Sequence, residues 1–95
     1  MRVTVLLPGV LRAKAADQAK LDVELPEPAT LGTLLDALAE EYPALERRLR
    51  DEQSTLRRYV NFYVDGEECR FSGGADTALR DAAEVQIIPS VAGGQ

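Results

Sequence analysis

The chain has 95 residues, 45% hydrophobic and 28% charged, the composition of one folded domain rather than of a disordered segment. Sixteen acidic against eleven basic side chains leave a formal charge of -5, an excess that opposes the counterion release driving nucleic-acid binding and disfavours anionic membranes. A single cysteine, Cys69, excludes an internal disulfide, and no apolar run is long enough to cross a bilayer or act as a signal peptide, so a cytoplasmic protein is expected.

In chain order, Val3, Val5 and Leu7 alternate with Thr4 and Leu6 at the period of a strand, until Pro8-Gly9 breaks it. Residues 10–19 are alanine-rich and read as a loop with at most a helical turn. Leu21, Val23 and Leu25 alternate with Asp22 and Glu24, predicting a half-buried strand that stops at Pro26 and pairs with the first as a hairpin. Thr30 is placed to cap a helix in which Leu31, Leu34, Leu35, Leu38 and Tyr42 recur at helical spacing. Pro43 disfavours helical backbone at Tyr42 and is itself suited to open a shorter helix through Leu49.

Residues 50–58 read as a polar connection. Tyr59 to Val64 is the richest run of β-formers, and Asp65-Gly66 signals a tight hairpin turn with a strand returning over 67–71. A loop over 72–76, a helical turn at 77–79 and a last strand over 84–88, closed by Pro89, complete the pattern. The order strand, strand, helix, strand, strand, strand predicts an α+β domain, a mixed sheet of four to five strands packed on one main helix.

Internal catalytic sets are missing from this sequence. With no histidine there is no imidazole base and no common zinc set, so neither a metal nor a catalytic residue is assigned. Cys69 stands alone on a predicted strand, where a cysteine is an apolar filler. Glu40-Glu41, Asp51-Glu52 and Glu67-Glu68 are adjacent rather than convergent and read as solvated surface, while Gly73-Gly74 lacks the Lys-Ser or Lys-Thr of a phosphate loop and reads as a turn. Arg47, Arg48, Arg50, Arg57 and Arg58 form a local basic cluster, read as a solvated face with a docking patch as the alternative.

What remains is the ending Ser90-Val91-Ala92-Gly93-Gly94-Gln95. Glycine lacks a Cβ, so Gly93-Gly94 can thread a slot closed to other residues, and no side chain there can do chemistry, which leaves the Gly94 carbonyl as the reactive group. The competing reading is a tolerant, frayed terminus. Strand parity adds a surface beside this tail. If Val85 and Ile87 face the core, Ile88 lies with Gln86 on the face opposite the helix, and Leu6 lies there with Arg2 and Thr4. The inner side of the third strand is left open by its pattern. Leu6, Phe62, Ile88, Pro89 and Val91 are together the expected docking face.

The element order with a protruding Gly93-Gly94, Val60-Asn61 in the third strand and Ile88-Pro89-Ser90-Val91-Ala92-Gly93-Gly94 at the end resembles the MoaD/ThiS family of ubiquitin-like β-grasp sulfur carriers. Within it, Val60 to Val64, Arg70-Phe71-Ser72-Gly73-Gly74 and the closing segment most resemble the CysO type, the carrier of a cysteine-biosynthesis route in actinobacteria. The resemblance implies a β-grasp domain over residues 1–90 with a flexible tail over 91–95. It implies a protein that is a co-substrate rather than an enzyme and binds no cofactor itself. An E1-like adenylyltransferase would use ATP to join the Gly94 carboxylate to AMP, a sulfur donor would displace the AMP to leave a thiocarboxylate, and a sulfur-accepting synthase would receive the sulfur. Cysteine, molybdopterin, thiamin and thio-sugar pathways all need the same carrier, and a modifier forming isopeptide bonds through Gly94 is the alternative. Gln95 departs from the family pattern, because Gly94 then has an amide instead of a carboxylate. Trimming by a JAMM-type metalloprotease or an expression remnant is the expected explanation, ahead of a chain that is no carrier.

Overall fold

Pairing begins at the N-terminus, where β1 (Arg2–Leu6) and β2 (Lys20–Glu24) form an antiparallel hairpin in the computed structural model, which describes residues 1–89. Val3 stands opposite Val23 and Val5 opposite Leu21, so the apolar residues of both strands share one face. Their connection is more ordered than its alanine content predicts: α1 (Gly9–Arg12) runs into a 3-10 turn over Ala13–Ala15, and Leu11 and Ala15, four residues apart, are both buried.

The short β3 (Ala29–Thr30) leads straight into α2 (Leu31–Glu41). Thr30 Oγ1 accepts from the Thr33 N–H at 3.2 Å, and Thr33 Oγ1 accepts from the Thr30 N–H at 3.2 Å, so two helix-end donors are satisfied reciprocally. Leu31, Leu34, Leu35 and Leu38 are buried along one stripe. Tyr42 leaves helical backbone (φ -131°, ψ 71°), as a residue before proline should, and Pro43 opens α3 (Pro43–Leu49), which buries Leu45 and Leu49.

The remaining strands are β4 (Val60–Val64), β5 (Glu67–Glu68), β6 (Ala78–Leu79) and β7 (Glu84–Pro89). Residues 1–89 form a five-stranded sheet in the order β2-β1-β7-β4-β5, with β1 and β7 parallel at its centre and the other neighbours antiparallel. This is the expected mixed sheet under a main helix. Asp65 and Gly66 both take positive φ (50° and 88°), the requirement of the tight turn their sequence signals. Among the described residues no helix is long and apolar enough to cross a membrane.

Three local expectations are corrected. The strand predicted over 67–71 ends at Glu68, because Cys69–Phe71 coils into a 3-10 turn that carries the Cys69 side chain into the core. The helical turn predicted at 77–79 is instead β6, because β3 offers it a partner: Ala29 pairs with Leu79, and the Thr77 carbonyl accepts from the Leu31 N–H at 2.9 Å. Phe62 belongs to the core rather than to a docking face. It is 1% exposed and lies opposite Ile87, so Val60, Phe62 and Val64 point toward the helices and Asn61 and Tyr63 point away.

A fully buried aromatic ring is costly to truncate. Phe62→Ala is expected to lower stability by about 3–5 kcal/mol, read from the shift of the urea unfolding midpoint; an unchanged midpoint would return Phe62 to the outer face.

Candidate functional site

β7 lies between β1 and β4, so Pro89, where the described chain stops, is at the end of a central strand. The outer face around it follows from the register. Leu6 of β1 stands beside Gln86, Gln86 stands opposite Tyr63, and Ile88 stands opposite Asn61, so these five side chains share one face. Ile88 is 39% exposed, and beside it a hollow of about 330 Å³ is lined by Leu6, Pro8, Arg12, Lys20 and Ile88 among others. Leu6 and Ile88 therefore come together as strand parity predicts.

The other members of the expected docking face do not join them. Phe62 is in the core, and Pro89 pairs with Val60, which places it on the helix side of the sheet. There it lines a separate hollow of about 220 Å³ with Val10, Leu11, Arg48, Tyr59 and Val60. The physical reason is alternation itself: consecutive residues Ile88 and Pro89 cannot both face outward on a regular strand. Val91, Gly93, Gly94 and Gln95 lie outside the described residues.

Arg70 has a role that no sequence pattern announced. β5 leaves the edge of β4 after two residues, and the Arg70 guanidinium takes its place. It donates to Asn61 Oδ1 at 2.8 Å, to the Val60 carbonyl at 3.4 Å and to the Arg58 carbonyl. Side-chain donors thus satisfy edge carbonyls that would otherwise invite another strand. The only available signal was Asn61, the one polar residue in a run of β-formers.

The arginine cluster does not behave as one patch. Arg50 is 6% exposed and bridges two elements, its guanidinium meeting Glu46 of α3 at 2.9 Å and Asp36 of α2 at 2.9 Å. Burial works against its charge, but the hydrogen bonds to Glu46 and Asp36 outweigh that and hold its pKa above the ordinary value. Arg57 Nε donates to the Arg47 carbonyl at 2.9 Å, tying the 50–58 connection to α3, and Arg47, Arg48 and Arg58 remain exposed. The reading of Arg50 as solvated is therefore corrected: a cation with two carboxylate partners can be buried.

Cys69 is buried, and burial followed by the neighbouring Glu68 carboxylate pushes its thiol up, with Arg70 opposing. Such a thiol is a filler, as its isolation in sequence indicates. Gly73 and Gly74 both take positive φ (119° and 59°) in a turn ahead of β6. Among the described residues no group of three or more His, Cys, Asp or Glu side chains converges to hold a metal ion. Among the described residues, three of the four most exposed large apolar side chains, Val10, Tyr59 and Ile88, gather around the end of β7.

Comparison with known proteins agrees with this geometry. The ThiS family model matches residues 5–94. The sulfur carrier protein CysO of Mycobacterium tuberculosis is 41% identical over 96 residues, covering 99% of this chain and all of the relative. Its crystal structure superposes with a TM-score of 0.83 at 38% identity, over 94% of this chain and 99% of that one. A chain from the Amycolatopsis orientalis BexX/CysO complex gives a TM-score of 0.85 at 33% identity, covering 97% and 99%. Small archaeal modifier protein 1 of Haloferax volcanii is 34% identical over 82 residues, or 86% of this chain and 90% of the relative.

Two outcomes follow from the placements of Ile88 and Cys69. Ile88→Asp should keep the fold and change the unfolding midpoint little, since Ile88 already meets solvent; unfolding by circular dichroism would contradict its position. The Cys69 thiol should resist alkylation by iodoacetamide in the native protein and react once urea unfolds it, followed by intact mass.

Proposed function

The chain belongs to the ThiS family, and from that premise we propose that it carries sulfur as a thiocarboxylate on Gly94, in a cytoplasmic pathway of the cysteine-biosynthesis type. It is a sulfur carrier and a co-substrate of partner enzymes rather than a catalyst. One observation carries the reading: the family match runs through Gly93-Gly94, and the strand that leads to them is the central β7.

The chemistry asks little of the carrier and much of its partners. A carboxylate resists nucleophiles because it is already negative and has no good leaving group. An E1-like enzyme overcomes this when the Gly94 carboxylate attacks the α-phosphorus of ATP, expelling pyrophosphate and forming an acyl adenylate. Hydrosulfide then attacks the carbonyl, AMP leaves, and loss of the S–H proton gives the thiocarboxylate. A sulfur-accepting synthase takes the sulfur from there. Hydrolysis of the Gly94–Gln95 amide, as by a JAMM-type metalloprotease, must come first, since an amide carbonyl offers no carboxylate oxygen to ATP. Leu6 and Ile88 on the outer face supply the desolvated contact that holds the body while residues 90–94, about 17 Å at full extension, enter the partner.

The decisive measurement compares two forms. Protein ending at Gly94 should support ATP–pyrophosphate exchange by the activating enzyme, and protein ending at Gln95 should not; with a sulfur donor present, the first form should gain the mass of one sulfur-for-oxygen exchange. Equal exchange by both forms would sink the mechanism.

Similarity to a small archaeal modifier protein supports a second reading, isopeptide formation through Gly94. A modifier leaves higher-mass conjugates that survive thiol reductants, and a carrier does not. Immunoblots of the producing cell under reducing conditions separate the two, and abundant stable conjugates would favour the modifier.

A further inference from the structure

The large hydrophobic side chains most exposed among the described residues are Val10, Tyr59, Phe71 and Ile88, and three of these four flank the end of β7. They do so from opposite faces of the sheet. Ile88 belongs to the outer hollow with Leu6, whereas Val10 and Tyr59 rim the helix-side hollow that Pro89 enters. The helix-side hollow has buried Leu11 and Val60 for its floor, Val10 (75% exposed) and Tyr59 (51% exposed) on its rim, and Arg48 beside them. Apolar groups this exposed, gathered around one point, mark a contact surface more than scattered residues do.

Charge distinguishes this end of the molecule from the other. Neither hollow is lined by a carboxylate; Arg12 and Lys20 line the outer one and Arg48 the helix-side one, in a chain whose net charge is -5. Among the described residues, Arg48 and Lys20 form no ion pair. At the opposite end of the strands the hollows carry Glu27 and Asp81, or Asp65 and Glu67, around Arg80. An unpaired cation beside an exposed aromatic calls for a negative group across the interface.

We propose that the helix-side hollow is a second docking site, taking an apolar side chain flanked by a carboxylate from the enzyme that receives the tail. The enzyme thereby clasps the end of β7 from both faces of the sheet. This rests on the reading of Gly94 as the reacting terminus. A clasp has a mechanical consequence that a single contact lacks. The body of the carrier cannot pivot about the outer face, so the direction in which the chain leaves Pro89 is set, and the reacting carbonyl is delivered along one line.

The test measures association of the Gly94-ending protein with the E1-like activating enzyme at low and high salt, for Arg48→Glu, Val10→Ser, Ile88→Asp and Arg80→Glu, each checked for fold by circular dichroism. Arg48→Glu is expected to slow association and weaken affinity by about tenfold at low salt, an effect that shrinks as salt screens it. Val10→Ser should weaken binding several-fold at both salt concentrations, since an apolar contact is not screened. Arg80→Glu makes the same charge change at the far end and should bind like the parent. Parental binding by Arg48→Glu and Val10→Ser, with Ile88→Asp weakened, would overturn the clasp and leave the carrier function standing. An equal loss in Arg80→Glu would also overturn it, by assigning the effect to net charge. Failure of the Gly94-ending parent to be adenylated would instead remove the functional reading itself.

Discussion

The parallel pairing of β1 with β7 is the constraint on which the rest of this molecule depends. It joins residues 4–6 to residues 84–86 through Thr4–Glu84, Val5–Val85 and Leu6–Gln86, so nearly the whole chain is the crossover between two adjacent strands. Parallel neighbours cannot be joined by a tight turn, and the crossover must pack over one face, which is where α2 and α3 lie. Polar groups reinforce the seam at its start: Asp81 Oδ1 accepts from the Arg2 N–H at 2.8 Å, which holds the Asp81 carboxyl below the usual carboxylate range, and the Ala82 N–H donates to the Arg2 carbonyl at 2.8 Å. The Asp65 side chain caps the same end by accepting from the Glu84 N–H at 3.0 Å.

Function inherits this arrangement directly. A last strand at the edge of a sheet would release its continuation beside one neighbour. A last strand at the centre is flanked by the ends of β1 and β4, and both ends carry apolar residues, Leu6 closing β1 with Val10 after it and Tyr59 before β4. The end of β7 therefore lies among exposed apolar residues without any dedicated insertion.

Where the sheet is incomplete, arginines complete it. Arg70 occupies the edge that β5 vacates, and Arg50 links α2, α3 and the following loop through Asp36 and Glu46. Both use the planar, multi-donor guanidinium in a way lysine could not.

The sequence by itself determined whatever is decided within a few residues of the chain. Thr30 and Thr33 make a reciprocal cap across three positions, Pro43 separates two helices by acting on Tyr42, Asp65-Gly66 turns because both can take positive φ, and Val85 and Ile87 identify the core face of β7 by alternation alone. Tertiary structure decided everything that needed a partner from far along the chain. Ala78 and Leu79 became a strand because β3 was there to pair with them, Phe62 turned inward because β7 presented Ile87 opposite it, and Arg50 was buried because α2 supplied Asp36. Pro89 was separated from Ile88 by the pleat of a strand whose neighbours held it regular. Local torsion and capping energies are written in neighbouring residues, whereas burial and pairing are properties of two surfaces meeting, and only one of the two is legible at any position in the chain.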